Sequence, residues 1–427
     1  MNSALENSAP AFAGGPAFPP VITLGGAGIT LNAVLRLLHR SGIPAYAVGA
    51  ENGISRFSRW YRPVPGVSRG VKPVHLTALL SKLDLEGAVL LPCSDDWLSA
   101  AAALPPELAR RFPASIAAPE VIEAFVDKWQ FAQLLQREQL PHPRTQQINS
   151  HQQLEALPET DFHGAILKPL SSAAFSSRYG VKGFLVNYRN EALRAMENVA
   201  FPILLQEFIP GPPAAGYFVE GFIDRHGTTC ALFARQRLRM NPAGLGNSTF
   251  MVSVALEEVA RAVSVLRYLL GAVSYRGVFS AEFKYDQRDA LFKLLEINAR
   301  PWWYIEAPAR AGIDICRMAY RDALGLEVQC VPHYRPGQYF GYLHNDIRAW
   351  REQRGKGGPS FWEWTKSWWG VRSTPLAWDD PDPALALTFQ QVADFLRSII
   401  RHKEKSHVAL REVKIRDDRQ QPALNKK

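Results

Sequence analysis

The sequence predicts an α/β protein with more than one domain, and three observations support this. The chain has 427 residues, which is more than one small domain needs. A short apolar run, Val21–Leu24, leads into a glycine turn and then into a helical pattern that includes Leu31, Val34 and Leu38. Another apolar run, Ala88–Leu91, is followed by polar residues, as is typical of strands in a parallel sheet.

Composition and charge exclude several other classes of protein. Hydrophobic residues make up 47% of the chain and charged residues 21%, which excludes a mostly disordered chain. The net charge is +9, but residues 401–427 carry more than half of it, so no nucleic-acid partner is expected. No apolar run reaches the roughly 18 residues that span a bilayer, and the first twenty residues lack a signal-peptide pattern. The scattered cysteines Cys93, Cys230, Cys316 and Cys330 predict free thiols in a reducing, cytoplasmic protein.

Changes of pattern along the chain predict four regions. The first is rich in Pro and Gly, the second alternates short strands and helices, the third carries most of the polar motifs, and the fourth is rich in aromatic residues and ends in a basic tail. We expect a disordered extension, a Rossmann-like domain, a second α/β domain and a C-terminal extension at residues 1–19, 20–118, 119–325 and 326–427.

The glycine turn of the first domain, Gly25–Gly28, has the pattern G-G-x-G rather than G-x-G-x-x-G. No clear acidic residue ends the second predicted strand, although Glu51 lies nearby. A tight turn into a helix is therefore the favoured interpretation, and nicotinamide binding is the alternative. Ser94, Asp95 and Asp96 follow the strand that ends in Leu-Leu-Pro, where they either cap a helix or contact a ligand.

Two lysines and a small-residue loop mark the start of the second α/β domain. Lys128 lies in the middle of a helix predicted over Pro119–Leu140, and Lys168 lies at the end of the apolar run Ala165–Pro169. Small residues with two glycines follow over Ser171–Gly183, which predicts a flexible loop. The strand predicted over Ile203–Ile209 then ends in Pro-Gly.

Two further runs, Val278–Asp286 and Ala290–Arg300, are separated by three residues and predict a β-hairpin. Because side chains alternate along a strand, the hairpin has one apolar and one polar face. The predicted apolar face contains Phe279, Ala281, Phe283, Tyr285, Leu291, Leu295, Ile297 and Ala299. The predicted polar face contains Ser280, Glu282, Lys284, Glu296, Asn298 and Arg300.

The polar face of this hairpin carries groups that suit a metal and a phosphate. In the predicted register Glu282 lies diagonally across from Glu296, where the two carboxylates can converge on one cation. Asn298 adds a neutral oxygen, and this oxygen-only set suits Mg²⁺. Arg300 offers a planar fork for phosphoryl oxygens. The alternative is a charged strand face that is merely solvated.

Five segments, in this order and spacing, resemble the ATP-grasp superfamily of carboxylate-amine ligases over about residues 20–325. They are DKWQFAQLLQREQLPHPRT, ILKPL, LQEFIPG, FSAEFKYD and LLEINARPWW. The chain is most similar to the branch of predicted ATP-dependent carboligases, which includes D-aspartate ligase. The resemblance implies that residues 119–325 form a two-lobed nucleotide-binding region, with lobes at about 119–205 and 206–325.

The resemblance also implies roles for individual residues. It implies that ATP is held by Lys128, Lys168, Lys182, Gln206, Glu207, Phe208 and Ile209, the last four at the hinge between the lobes. Mg²⁺, with Mn²⁺ as an alternative ion, would be bound by Glu282, Glu296 and Asn298, and Arg300 would lie near the transferred phosphoryl group. One feature departs from the family, because residues 211–216 contain no acidic residue to hold the ribose hydroxyls.

Three arginines, Arg235, Arg237 and Arg239, alternate after the apolar run Ala231–Ala234. They lie where a substrate carboxylate or the γ-phosphate could be clamped, and Arg237 is a candidate catalytic residue together with Arg300. The alternative is an edge strand with a solvated basic face.

The function that the resemblance implies is an ATP-dependent ligase. It would activate a small-molecule carboxylate as an acyl phosphate and join it to an amine, releasing ADP and phosphate. Relatives are often homodimers. The absence of G-x-S-x-G is consistent with a reaction that needs no protein nucleophile. Two alternatives remain open: a non-catalytic ATP sensor and a nicotinamide-dependent oxidoreductase.

The fourth region contains a tryptophan cluster, Trp362, Trp364, Trp368 and Trp369, flanked by lysines. An aromatic cap over the core, or a lid near the substrate, is the favoured interpretation. A peripheral membrane contact through Trp362–Trp369 is the alternative, because aromatic and basic residues together suit a membrane interface.

Overall fold

The computed structural model describes residues 19–26, 28–50, 53–170, 182–355, 357–393 and 397. Most of the expected N-terminal extension, most of the small-residue loop 171–183, Glu51 and the basic tail lie outside the described residues. None of the helices in the described part is long and apolar enough to cross a bilayer.

The first α/β unit contains a parallel three-stranded sheet of order β2-β1-β3. Its strands are β1 (Val21–Leu24), β2 (Ala45–Val48) and β3 (Val89–Pro92), and its helices are α1 (Ile29–Arg40), α2 (Leu76–Lys82), α3 (Asp95–Ala102) and α4 (Pro106–Arg111). Every residue of β1 and β3 is buried, as expected for parallel strands in the interior of an α/β unit. The strand, glycine turn and helix predicted for this region are therefore confirmed.

A second, antiparallel sheet has the order β4-β7-β5-β6. Its strands are β4 (Thr145–Ile148), β5 (Ala165–Pro169), β6 (Phe184–Val186) and β7 (Ile203–Glu207), accompanied by α5 (Pro119–Val126), α6 (Lys128–Arg137), α7 (His151–Ala156) and α8 (Arg189–Met196). The prediction of one helix over Pro119–Leu140 is wrong. Asp127 ends α5 and caps α6, accepting hydrogen bonds from the backbone of Trp129 and Gln130 at 2.8 and 2.9 Å. Lys128 therefore begins a helix instead of lying in the middle of one.

The largest sheet has seven strands in the order β12-β11-β8-β9-β10-β13-β14. They are β8 (Gly216–Ile223), β9 (Thr229–Asn241), β10 (Asn247–Val254), β11 (Gly277–Asp286), β12 (Leu291–Asn298), β13 (Tyr339–Gly341) and β14 (Arg372–Ser373). The strand β9 continues well beyond the predicted Ala234 and lies in the centre of the sheet. Arg235, Arg237 and Arg239 are consequently buried, which excludes the alternative of an edge strand with a solvated basic face.

The remaining helices are α9 (Ala260–Ala272), α10 (Glu306–Arg310), α11 (Ile315–Ala323), α12 (Leu343–Gln353) and α13 (Phe361–Ser367), followed by a helical segment over residues 382–393. The strands β13 and β14 show that the aromatic-rich region extends the large sheet.

A buried ionic network joins the aromatic-rich C-terminal region to the first α/β unit. The fully buried guanidinium of Arg36, on α1, donates to both carboxylate oxygens of Glu306 at 3.0 Å and to the Pro375 carbonyl at 2.9 Å. Asp380 lies 3.7 Å from the same guanidinium and accepts a hydrogen bond from Ser58 at 2.7 Å. Separating these segments would leave buried charges unpaired, so we expect them to dock as one unit.

The β11–β12 hairpin forms as predicted, but its register differs. Residues 287–290 make the loop, and Ala290 has a φ of +58°. A bulge at Leu295 separates the pair Glu282–Glu296 from the pair Phe283–Leu294. Leu294 consequently faces the core in place of the predicted Leu295, and Glu282 pairs directly with Glu296 rather than diagonally.

Candidate active site

The candidate site lies between the four-stranded and the seven-stranded sheets. On the smaller sheet, the ammonium of Lys168 donates a 2.7 Å hydrogen bond to Oε1 of Gln206. Burial lowers the pKa of Lys168; the carboxylates of Glu296 and Glu282 act against this shift, and Lys128 and Lys182 act with it. The three predicted lysines and the two predicted acids are therefore close enough to interact electrostatically.

The acidic pair on β11 and β12 has the donor chemistry of a magnesium site. Glu282 and Glu296 are opposite each other in the ladder, and Asn298 follows on the same face. The Asn298 amide donates to Oε1 of Glu296 at 3.4 Å. Among the described residues, no three His, Cys, Asp or Glu side chains form a group that could hold a metal ion. The candidate set differs from such a group because it contains two carboxylates and an amide. These oxygen donors fit Mg²⁺, which completes its shell with water or phosphate oxygens.

Arg237 connects β9 to this acidic pair. Its Nη2 donates to Oε1 of Glu282 at 2.8 Å and its Nε donates to Ser248 at 2.9 Å. Burial acts to raise the pKa of Glu282, but Arg237 and Lys182 outweigh burial and hold that pKa below its usual range. Glu282 is therefore kept ionised, as a metal ligand must be.

The other two arginines of β9 have structural partners. Arg235 bonds to the buried carboxylate of Glu220 at 2.8 Å and lies over the ring of Phe218. Arg239 forms a bidentate pair with Asp346, with the shortest contact at 2.7 Å. The predicted clamp of three arginines is therefore not seen as a unit, because only Arg237 contacts the acidic pair.

Arg300 lies just beyond β12 and reaches the first α/β unit. Its Nε and Nη2 donate to the two carboxylate oxygens of Asp95 at 2.7 and 3.0 Å, and its Nη1 donates to the Pro301 carbonyl at 3.1 Å. Of the residues predicted either to cap a helix or to contact a ligand, Ser94 occupies the N-cap position of α3 without a side-chain capping bond, and the Asp95 side chain pairs with Arg300. The ligand contact stays a prediction.

The four residues of the predicted hinge have different environments. Gln206 bridges Lys168 and Thr145, donating to the latter at 2.9 Å. The carboxylate of Glu207 pairs with Arg288, the Phe208 backbone donates to the Gly164 carbonyl at 2.8 Å, and Ile209 is buried.

Lys182 connects the segment before β6 of the four-stranded sheet to β10 of the seven-stranded sheet. Its ammonium donates to the side-chain oxygen of Asn247, at the start of β10, at 2.5 Å. Lys284, which the alternation placed on the polar face, donates to the carbonyls of Gly211 and Pro212 at 3.2 and 2.9 Å. It therefore holds the segment that lacks the expected acidic ribose contact.

The glycine turn of the first unit has a packing explanation. Gly25 and Gly26 have φ values of +68° and +77°, and a Cβ on Gly26 would lie 2.5 Å from the Cβ of Cys93. Glycine is required there because the turn crosses the end of β3. This favours the predicted tight turn over nicotinamide binding.

The tryptophan cluster divides into partly buried and exposed members. Trp364 and Trp368 donate from their indole nitrogens to Asp346 at 2.8 and 2.7 Å, and Trp368 packs against Phe250. These two form the predicted aromatic cap on the large sheet. Trp362 and Trp369 are 73% and 92% exposed.

Asp346 is the residue of this region that sequence reasoning missed. It is fully buried and accepts hydrogen bonds from Arg239, Thr249 and the two indoles. An acidic residue on an amphipathic helix carries no signal of such partners, although its position within an aromatic-rich region could have suggested buried indole donors.

Comparison with known proteins agrees with this architecture. No family model matches the chain. A curated D-aspartate ligase from Enterococcus faecium (strain Aus0004) is 25% identical over 250 residues, which cover 55% of this chain and 58% of the relative. The chain thus matches less than two thirds of that relative's length.

Solved structures with the same fold include three from different organisms. The biotin carboxylase domain of Hydrogenobacter thermophilus 2-oxoglutarate carboxylase, solved with MgADP, has a TM-score of 0.57 at 16% identity, covering 75% of this chain and 73% of that one. N5-carboxyaminoimidazole ribonucleotide synthetase from Thermus thermophilus has a TM-score of 0.54 at 18% identity, covering 75% and 81%. L-amino acid ligase from Bacillus licheniformis has a TM-score of 0.52 at 14% identity, covering 75% and 79%.

Each of these likenesses covers 75% of the chain. They confirm the resemblance predicted from the five sequence segments. The chain has the ATP-grasp fold.

Proposed function

We propose that this protein is an ATP-dependent ligase that activates a carboxylate as an acyl phosphate and joins it to an amine. The observation that carries the proposal is that Lys168 lies close enough to the Glu282–Glu296 pair, and to Lys128 and Lys182, for their charges to act on its pKa. Phosphoryl transfer from ATP requires positively charged side chains that bind phosphate and, opposite them, acidic side chains that bind a divalent metal ion.

Glu282, Glu296 and Asn298 would hold Mg²⁺, or Mn²⁺ in its place. When bound, the ion would neutralise charge on the phosphates of ATP. Arg237 contributes by keeping Glu282 ionised through their 2.8 Å hydrogen bond. The three ligands come from adjacent strands of one sheet, so their spacing is fixed by the ladder.

The lysines and the hinge would bind the nucleotide. Lys128 begins α6, where its ammonium and the positive end of the helix dipole add to each other. Lys168 and Gln206 are already joined by a hydrogen bond, which positions the ammonium for phosphate. The adenine would lie against the backbone at the end of β7 and just after it, at Glu207, Phe208 and Ile209.

Arg300 would face the group that receives the phosphoryl. Asp95 accepts hydrogen bonds from two N–H groups of Arg300 and so fixes the plane of the guanidinium. One hydrogen on Nη1 and one on Nη2 then remain for a substrate oxygen. The amine would then attack the acyl carbon and phosphate would leave, with no covalent protein intermediate.

The substrates we propose are small molecules, with amino acids as the first to test. A similar curated protein is named D-aspartate ligase and a structural relative is named L-amino acid ligase. We further propose that the protein acts in the cytoplasm, where ATP is available, and as a homodimer.

The test is Mg²⁺-dependent release of phosphate from ATP by the purified full chain, measured against pooled carboxylates and amino acids. We expect release that depends on one pool, that is lost in Glu296→Gln, and that persists in the matched control Glu155→Gln, an exposed residue of α7. Phosphate release in no pool, with ATP binding retained, would favour an ATP sensor. Failure to bind ATP at all would overturn the proposed site.

A further inference from the structure

Two cysteines that are far apart in sequence meet at the start of β9, a central strand of the large sheet. Cys230 is the second residue of β9 and is buried, whereas Cys330 lies in the exposed segment between α11 and β13. Their sulfur atoms are 2.8 Å apart and their positions differ by 100 residues. Both are free thiols, yet forming a bond of about 2.05 Å would require a movement of less than about 1 Å.

The backbone around this pair fixes the approach. The Val331 amide donates to the Cys230 carbonyl at 2.8 Å, and Ala231 and Val331 form a parallel β-bridge. The two sulfurs are therefore juxtaposed by paired backbone and not by a chance rotamer at the surface.

The surroundings of the two thiols differ in a way that suits ordered oxidation. Cys330 is exposed, so a soluble oxidant can reach it first. Cys230 is buried, its pKa is raised chiefly by burial, and its thiol donates to Oδ2 of Asp224 at 3.8 Å. The buried thiol is thus protected from solvent but lies next to a carboxylate that can accept its proton.

We propose that Cys230 and Cys330 form a reversible disulfide, with a low-molecular-weight disulfide such as oxidised glutathione as the oxidant. The thiolate of Cys330 attacks the oxidant, giving a mixed disulfide and one thiolate of glutathione. Cys230 then loses its proton, by way of Asp224, and attacks the Cys330 sulfur, which expels the second glutathione thiolate. Two protein thiols are oxidised and one glutathione disulfide is reduced to two thiols.

The bond would tie the segment that leads to β13 onto β9. The strand β9 carries Arg237 and Arg239, and β13 precedes the helix that carries Asp346. Because the bond closes a loop of about 100 residues, we expect the oxidised protein to unfold at a higher temperature than the reduced protein.

The experiment is thiol counting and peptide mapping of the purified full chain before and after incubation with oxidised glutathione. We expect the thiols titrated in denaturant to fall from the four of the sequence to two, and a peptide pair joined through Cys230 and Cys330 to appear. Dithiothreitol should restore all four, and the melting temperature should rise by several degrees only in the oxidised sample.

Cys330→Ser is the main variant, since the residue is exposed and its replacement disturbs no core. It should abolish the joined peptide and the rise in melting temperature. The control Cys316→Ala, which replaces a buried cysteine outside the pair by a small apolar residue, should keep both. Any of three outcomes would overturn the proposal. They are four free thiols after incubation with oxidised glutathione, a stable mixed disulfide on Cys330, and a disulfide that joins Cys330 of two chains.

Discussion

Arg300, at the end of β12, and Asp95, at the start of α3, form a bidentate ion pair between residues 205 positions apart in the chain. The pair joins the three-stranded unit to the hairpin that carries Glu296 and Asn298. Burial acts to lower the pKa of Arg300, but Asp95 outweighs it and raises that pKa, so the guanidinium stays charged. The first α/β unit thus contributes directly to the geometry of the candidate site.

We expect Asp95→Asn to lower the turnover of the ligase reaction by roughly 10- to 100-fold, the cost of one charge-assisted hydrogen bond. ATP affinity should change little, because Asp95 acts through Arg300 rather than on the nucleotide. Separate measurement of kcat and of ATP binding checks this.

Asp84→Asn is the control for Asp95→Asn, since it makes the same change at an exposed residue of the same unit. Asp95→Glu should recover part of the lost kcat if orientation of Arg300 is what matters. Equal losses in the Asn and Glu variants would contradict the positioning role.

Arg237→Met should move the acid limb of the activity profile to higher pH. Arg237 is the main group that opposes burial and holds the pKa of Glu282 below its usual range. Without it the pKa of Glu282 rises, so protonation, and loss of the metal ligand, begins at a higher pH. The measurement is phosphate release against pH.

Arg237→Lys keeps the charge and should restore most of the original acid limb. An unchanged profile in Arg237→Met would mean that Glu282 does not control activity through its ionisation.

Asp346→Asn should destabilise the fold by about 3–5 kcal/mol, the range for a buried ion pair that loses one partner. Arg239 would remain buried without a counter-charge, and the indoles of Trp364 and Trp368 would lose the ionised acceptor that they share. Urea unfolding followed by tryptophan fluorescence measures this.

The exposed pair of Arg40 and Asp379 is the comparison, because it is also bidentate, with contacts at 3.0 Å. Since exposed pairs contribute about 0–1 kcal/mol, Asp379→Asn should change the free energy of unfolding far less than Asp346→Asn. Similar losses in the two variants would show that burial of Asp346 is not the reason for its effect.

The contrast between Glu282 and Asp346 shows what the sequence can predict. Strand alternation is a local property, so it was enough to put Glu282, Glu296 and Asn298 on one face. The direct pairing of the two acids was missed because the bulge at Leu295 has no local signal. The contacts of Asp346 with Arg239, 107 residues away, and of Asp95 with Arg300 depend on how the sheets and helices dock, which periodicity does not encode.

Asp286, beside the β11–β12 hairpin loop, should make the stability of the fold depend on pH. Asp286 is fully buried and accepts hydrogen bonds from Arg288 at 2.6 Å and from Lys293 at 2.8 Å. Its hydrogen bonds with Arg288 hold its pKa well below the usual value for aspartate. A carboxyl whose pKa is depressed by folding stabilises the protein above its unfolded pKa, about 3.9, and that stabilisation is lost as the pH falls below it.

Asp286→Asn should therefore lower stability at pH 7, by about 1–3 kcal/mol for a lost charged partner, and should flatten the fall in stability below about pH 4. Because Arg288 also pairs with Glu207 at the hinge, the same variant should loosen the contact between the loop and β7. Thermal unfolding of both proteins from pH 3 to 7 measures the difference. If the two melting curves stay parallel over that range, Asp286 is not the group whose protonation weakens the fold in acid, and the pairing of Arg288 with Glu207 must hold the loop without it.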